Sequence, residues 1–111
     1  MVVPAPSAIT IHEAWRTEDG SGTVFFGAAI TQTEAITLRQ RGENTVVRGE
    51  NPFATAKEAH LIESSVGPCK PDGPHTDTAG SLALPHFQQR NPPPDERSYY
   101  ETPVRKAVPR P

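Results

Sequence analysis

The chain has 111 residues, enough for one domain with a modest core. A net charge of −2 argues against duplex binding driven by phosphate charge alone, and the single cysteine, Cys69, excludes an internal disulfide and zinc-type cysteine spacing. Only 34% of the residues are hydrophobic, and 13 are proline, so short elements separated by loops are expected.

Residues 1–8 read as a flexible N-terminal tail, 9–106 as one α+β domain, and 107–111 as a second tail. The first element is a short edge strand over Ala8 to Ile11, with Trp15 beyond it. Glu18-Asp19-Gly20-Ser21-Gly22 is turn chemistry, and Thr23-Val24-Phe25-Phe26, β-branched and aromatic, reads as a strand ending at Gly27. Thr31-Gln32-Thr33-Glu34 is a capping box with Ile30 at the staple position. It predicts a helix from Gln32 to Arg41 that stops at Gly42. Asn44 to Arg48 is a short buried strand. Asn51 then serves as N-cap and Pro52 as first residue of a second helix, whose apolar stripe runs Phe53, Ala56, Ala59, Ile62, Val66. That helix ends near Ser65. Its His60 reads as an ordinary helical histidine, and the turn from Val46 to Phe53 as a structural connection without a nucleotide fingerprint.

After Gly67 the composition changes. The stretch Gly67 to His75 is too rich in proline for regular structure, Leu82 to Gln88 is an edge or bulged strand because of Pro85, and Ser98 to Glu101 is a final strand. The fold class is therefore α+β: two helices packed on a small, mainly antiparallel sheet, with proline-rich loops. Six basic residues lie after residue 69 (Lys70, Arg90, Arg97, Arg105, Lys106, Arg110) against five acidic ones, whereas the earlier part has five against eight. The second half is the better place for an anionic ligand.

His75 and His86 each follow a proline, which fixes its own φ and so aims the histidine with little freedom. Two imidazoles suit a general base and acid. Lys70, Arg90, Arg97 and Arg105 are candidates to neutralise a phosphate, and Tyr99 and Tyr100 to donate a hydrogen bond or stack on a base. Together these side chains fit RNA cleavage without metal or cofactor. A base deprotonates the 2′-OH, an acid protonates the leaving 5′-oxygen, and a cation steadies the phosphorane-like charge. A histidine-aspartate metal site at His75, Asp77 and His86 has no recognised spacing, and Cys69 beside Lys70 reads as a small loop residue.

Several segments resemble the toxin modules at the C-termini of bacterial polymorphic toxins. They are Thr23 to Gly27, Ile30 to Ala35, Asn44 to Gly49, Ala56 to Ala59, Val66 to Lys70, Gly73-Pro74-His75, Leu84 to Gln88, Tyr99 to Pro103 and Arg105 to Ala107. The resemblance spans roughly residues 22–107. It implies a small α+β nuclease acting on RNA, with His75 and His86 as the Pro-His positions and Lys70 as the upstream basic residue. It also implies a cognate immunity protein as partner. The glycine-histidine pair that often precedes the aromatic-Tyr-Glu segment in such modules is replaced here by Glu96-Arg97. The alternative is a non-catalytic protein-binding module, docking through Pro92-Pro93-Pro94 and Tyr99-Tyr100. Without a signal peptide or apolar span in the sequence, the expected location is the cytoplasm, or export within a larger toxin.

Overall fold

The computed structural model describes residues 9–17, 22–73, 83–90 and 97–110. The expected N-terminal tail therefore lies outside the described residues, as do His75, Asp77 and Pro92 to Pro94. In chain order the elements are β1 (Thr10–Arg16), β2 (Val24–Ile30), α1 (Gln32–Gln40), β3 (Asn44–Arg48), α2 (Pro52–Ser64), β4 (Cys69–Asp72), β5 (His86–Gln89), β6 (Ser98–Tyr100) and β7 (Val108–Pro109).

Among the described residues the strands form one seven-stranded mixed sheet in the order β4-β5-β6-β3-β1-β2-β7. The α+β class holds, with a sheet larger than the small one expected. Antiparallel pairing joins β1 to β2 and β3, and β5 to β4 and β6. The β3–β6 and β2–β7 pairs are parallel. A parallel pair needs a crossover, and α2 with the β4–β5 hairpin supplies it between β3 and β6. β1 is central rather than an edge strand, because β2 and β3 both pair with it.

Strand alternation sorts the core onto two faces. Val47 points to the helices and packs with Ala35 of α1 and with Ala59 and Ile62 of α2. Its neighbour Val46 points the other way, to Ala14, Val24, Leu84, Tyr99 and Ala107. Both helices thus cover one face, and on the other the chain around Leu84 and Ala107 closes over the sheet. The segment expected as a C-terminal tail accordingly begins with the buried Ala107 and continues as β7 on the edge of β2.

The helix ends follow their local chemistry. The Glu34 amide donates to Thr31 Oγ1 at 3.1 Å, and the Thr31 amide donates to Glu34 Oε1 at 3.0 Å, a closed capping box. Gly42 ends α1 with a φ of 78°, and the Glu43 amide turns back to Leu38 O at 2.9 Å. Asn51 Oδ1 accepts from the Phe53 and Ala54 amides at 2.9 and 3.3 Å, leaving Pro52 where no amide hydrogen is needed. The proline-rich stretch after Gly67 does form a strand, β4. Pro71 is accommodated because β4 is at the sheet edge, where one side of its backbone carries no ladder bond.

Candidate functional site

The predicted residues fall into separate places. His86 sits opposite Tyr99 in the β5–β6 ladder and is only 1% exposed. Its ring meets Tyr99 edge-on, with centroids 5.4 Å apart, and its Nδ1 lies 3.3 Å from Leu84 O. Arg105 donates to Ala83 O at 2.9 Å, so it pins the same 83–85 segment over the sheet. Tyr99 is buried, with no hydrogen-bond partner for its hydroxyl among the described residues. His86 and Tyr99 thus come together as part of the inside of the molecule, with the half-buried Arg105 holding the backbone beside them.

Lys70 and Arg90 lie exposed at the β4 edge, where Arg90 Nε donates to Cys69 O at 3.1 Å. Arg97 is half-buried beside β3, its amide donating to Asn44 Oδ1 at 2.7 Å. Tyr100 faces the helices against Phe87, with ring centroids 5.5 Å apart. Burial raises the Tyr100 phenol above its ordinary value. Burial also raises the Cys69 thiol, the Glu63 carboxylate adds to that, and Arg90 offsets part of it. A thiol pushed upward stays protonated at neutral pH and is a poor nucleophile.

A different set of polar groups converges at the far end of β1 and β3. Thr10 and Arg48 are cross-strand partners there. With Gly49, Glu50, Glu101 and Lys106 they line a groove of about 480 Å³, within the size range of ligand sites. Glu101 is its buried floor. Its carboxylate accepts from Arg48 Nε at 3.0 Å, from the Gly49 amide at 3.3 Å and from the Ala107 amide at 2.8 Å. Lys106 Nζ donates to Gly49 O and to Glu50 Oε1, both at 3.2 Å, and stands 4.0 Å from Glu101. The cationic side chains are each about a third exposed, 34% for Arg48 and 35% for Lys106, so their outer faces reach solvent.

His12 lies behind this groove, two residues along β1 from Thr10. Its Nδ1 is 2.8 Å from Gly27 O and its Nε2 is 2.8 Å from Thr10 Oγ1. The ring packs edge-on against Phe26 at 5.0 Å, and the Arg48 guanidinium stacks on that same Phe26 at 3.8 Å. Sequence reasoning passed over His12, assigned Thr10, Arg48 and Glu101 only to strands, and counted Lys106 only in the basic balance of the second half. The available signal was Thr-x-His at a spacing of two on a strand, which puts both side chains on one face. Arg48 joins them only through the β1–β3 register, which no local pattern carries.

Among the described residues, no three His, Cys, Asp or Glu side chains gather as metal ligands, and no helix is long and apolar enough to cross a membrane. No family model, curated protein or solved structure matches this chain.

Proposed function

We propose that the chain is a toxin-like RNA-cleaving module whose substrate backbone lies in the Arg48–Lys106 groove. The observation that carries this reading is a groove of about 480 Å³ lined by Arg48 and Lys106, each about a third exposed, with Glu50 and Glu101 as their carboxylate partners. A guanidinium and an ammonium spaced across a groove suit a phosphodiester, the one by its planar donor fork and the other as a point charge. The buried Glu101 holds Arg48 and the chain beside it in place, so the site is organised before substrate arrives. The reading rests on the groove rather than on the histidine pair, since His86 at 1% exposed offers no surface to a dissolved substrate.

The test is incubation of the purified protein with single-stranded RNA and DNA, with and without chelator. RNA is shortened in both conditions, and Arg48→Ala and Lys106→Gln slow the reaction while thermal unfolding reports that they remain folded. Intact RNA throughout defeats the proposal. A second reading, a protein-docking module such as one facing an immunity protein, is favoured by Phe53 and Val104, each 86% exposed. Phe53 lies in the first turn of α2 and Val104 two residues before Lys106, and large apolar side chains so exposed suit a partner surface.

A further inference from the structure

We infer that Thr10 and His12 are the proton-accepting pair of this groove, with the Thr10 hydroxyl meeting a ribose 2′-OH and His12 taking the proton through it. The inference rests on the RNA-cleaving reading above and assigns its base.

The geometry points one way. Gly27 O is a backbone carbonyl and only accepts, so the proton of the neutral His12 ring is on Nδ1, 2.8 Å from it. Nε2 is then the acceptor, and the hydroxyl it faces at 2.8 Å, Thr10 Oγ1, donates to it. A hydroxyl, a histidine that receives its proton, and a third group that orients the histidine form the arrangement by which a neutral oxygen is activated. Here the orienting group is a main-chain carbonyl of the neighbouring strand, and the Phe26 ring holds the imidazole from the side.

Exposure decides the route. His12 is only 8% exposed, whereas Thr10 is exposed and lines the groove. A substrate hydroxyl in the groove therefore meets Thr10 before the imidazole. Arg48, directly across the β1–β3 ladder from Thr10, is positioned to carry the phosphate next to that hydroxyl. In the step inferred, the 2′-oxygen forms a bond to phosphorus as its proton passes to Thr10 Oγ1 and the Thr10 proton passes to His12 Nε2. The bond from phosphorus to the 5′-oxygen breaks, and that oxygen takes a proton from the Lys106 ammonium. The products are a 2′,3′-cyclic phosphate and a 5′-hydroxyl. His12 then returns its proton to Lys106 through water, so nothing is consumed.

The test compares Thr10→Val, Thr10→Ser and His12→Gln with the wild-type protein on one single-stranded RNA, with kcat and KM measured separately. Thr10→Val keeps the shape and removes the hydroxyl, so kcat falls on the order of 10²-fold or more with little change in KM. Thr10→Ser restores the hydroxyl and most of kcat, and His12→Gln falls with Thr10→Val. End-group analysis finds cyclic phosphate. Thr10 is exposed, so Thr10→Val reads out the chemistry even where His12→Gln fails to fold. Undiminished kcat in Thr10→Val, with the wild-type protein cutting RNA, overturns the pair and leaves the RNA-cleaving reading standing. Failure of the wild-type protein to cut any RNA overturns both.

Discussion

Arg39 and Glu63 meet as a buried pair: Arg39 Nε donates to Glu63 Oε1 at 2.8 Å and Nη2 to Oε2 at 3.3 Å. The first residue is on α1 and the second on α2. Ser98 Oγ donates to Glu63 Oε1 at 2.8 Å, and Gln89 Nε2 also donates to the carboxylate, so one side chain ties both helices to β5 and β6. Arg39 Nη1 reaches Glu43 O at 2.8 Å as well. Removing one partner leaves the other charged and out of water, which costs far more than an exposed ion pair contributes.

Glu63→Ala is accordingly expected to destabilise the fold by about 3–5 kcal/mol, the range for breaking a buried pair. Arg39→Met together with Glu63→Leu, which replaces both charges by apolar volume, recovers most of that loss. Urea unfolding of the two variants checks it. Equal stability of Glu63→Ala and the wild-type protein would show that the network carries no weight.

Gly27 is a second sensitive point. A Cβ built there lies 2.7 Å from Trp15 Cη2 and Cζ3, inside any real contact. Arg110 also stacks on that indole, at 4.4 Å from Arg110 Cζ to the ring centroid, so the ring is held from outside. Gly27→Ala is expected to cost about 1–3 kcal/mol as overpacking. The same change shifts the carbonyl that orients His12, so RNA cleavage drops further than the stability loss accounts for. Thermal unfolding and kcat on the same preparation separate the two.

The Asn51 cap gives a smaller, local effect. Its Oδ1 satisfies two first-turn amides that have no carbonyl acceptor within the helix. Asn51→Ala is expected to lower stability by about 1 kcal/mol, and Asn51→Ser to retain most of it. Denaturant midpoints measure both.

Alkaline pH should weaken the fold. The Cys69 thiol and Tyr100 phenol both have folded values raised above the ordinary 9.0 and 10.0. Their stabilising contribution is complete below those ordinary values. It is lost as pH rises through the folded values, because the unfolded chain gives up these protons first. Unfolding free energy measured at increasing pH is expected to begin falling near 9.0, with Cys69→Ser and Tyr100→Phe each flattening part of the descent. A flat profile for the wild-type protein contradicts the assignment.

RNA affinity should fall with salt. A cation that neutralises one phosphate of a single strand contributes a slope of about −0.7 to the log–log plot of affinity against salt. Lys106→Gln is expected to reduce the magnitude of the wild-type slope by about 0.7. Fluorescence anisotropy over a potassium chloride series reads it, and an unchanged slope removes Lys106 from the interface.

Most of the secondary structure was legible because it is written locally. Thr31 with Glu34, Gly42, and Asn51 with Pro52 are adjacent signals, and they mark where α1 and α2 begin and where α1 stops. Val46-Val47 likewise announces a buried strand. β4 was hidden because Pro71 argues against a ladder, and only the edge position resolves the conflict. The groove was harder to read for a different reason. Thr10, Arg48 and Lys106 are dispersed along the chain, and their meeting depends on strand register and on the closure of the 101–107 segment. The proline before His86 drew attention to it, whereas its burial is set by Tyr99 across the ladder and by the segment around Leu84.

The parallel pairing of β7 with β2 bears on how the molecule is made. Phe25 and Phe26 find their partners at Val108 and Pro109, so the outer rim of β2 stays open until residue 109 has left the ribosome. β3 waits similarly for Tyr99 and Tyr100. A nascent chain therefore carries two unfinished strand edges until residues 98–109 emerge, each a template for pairing with another chain. The segment from Ser98 to Pro109 is what ends that exposure.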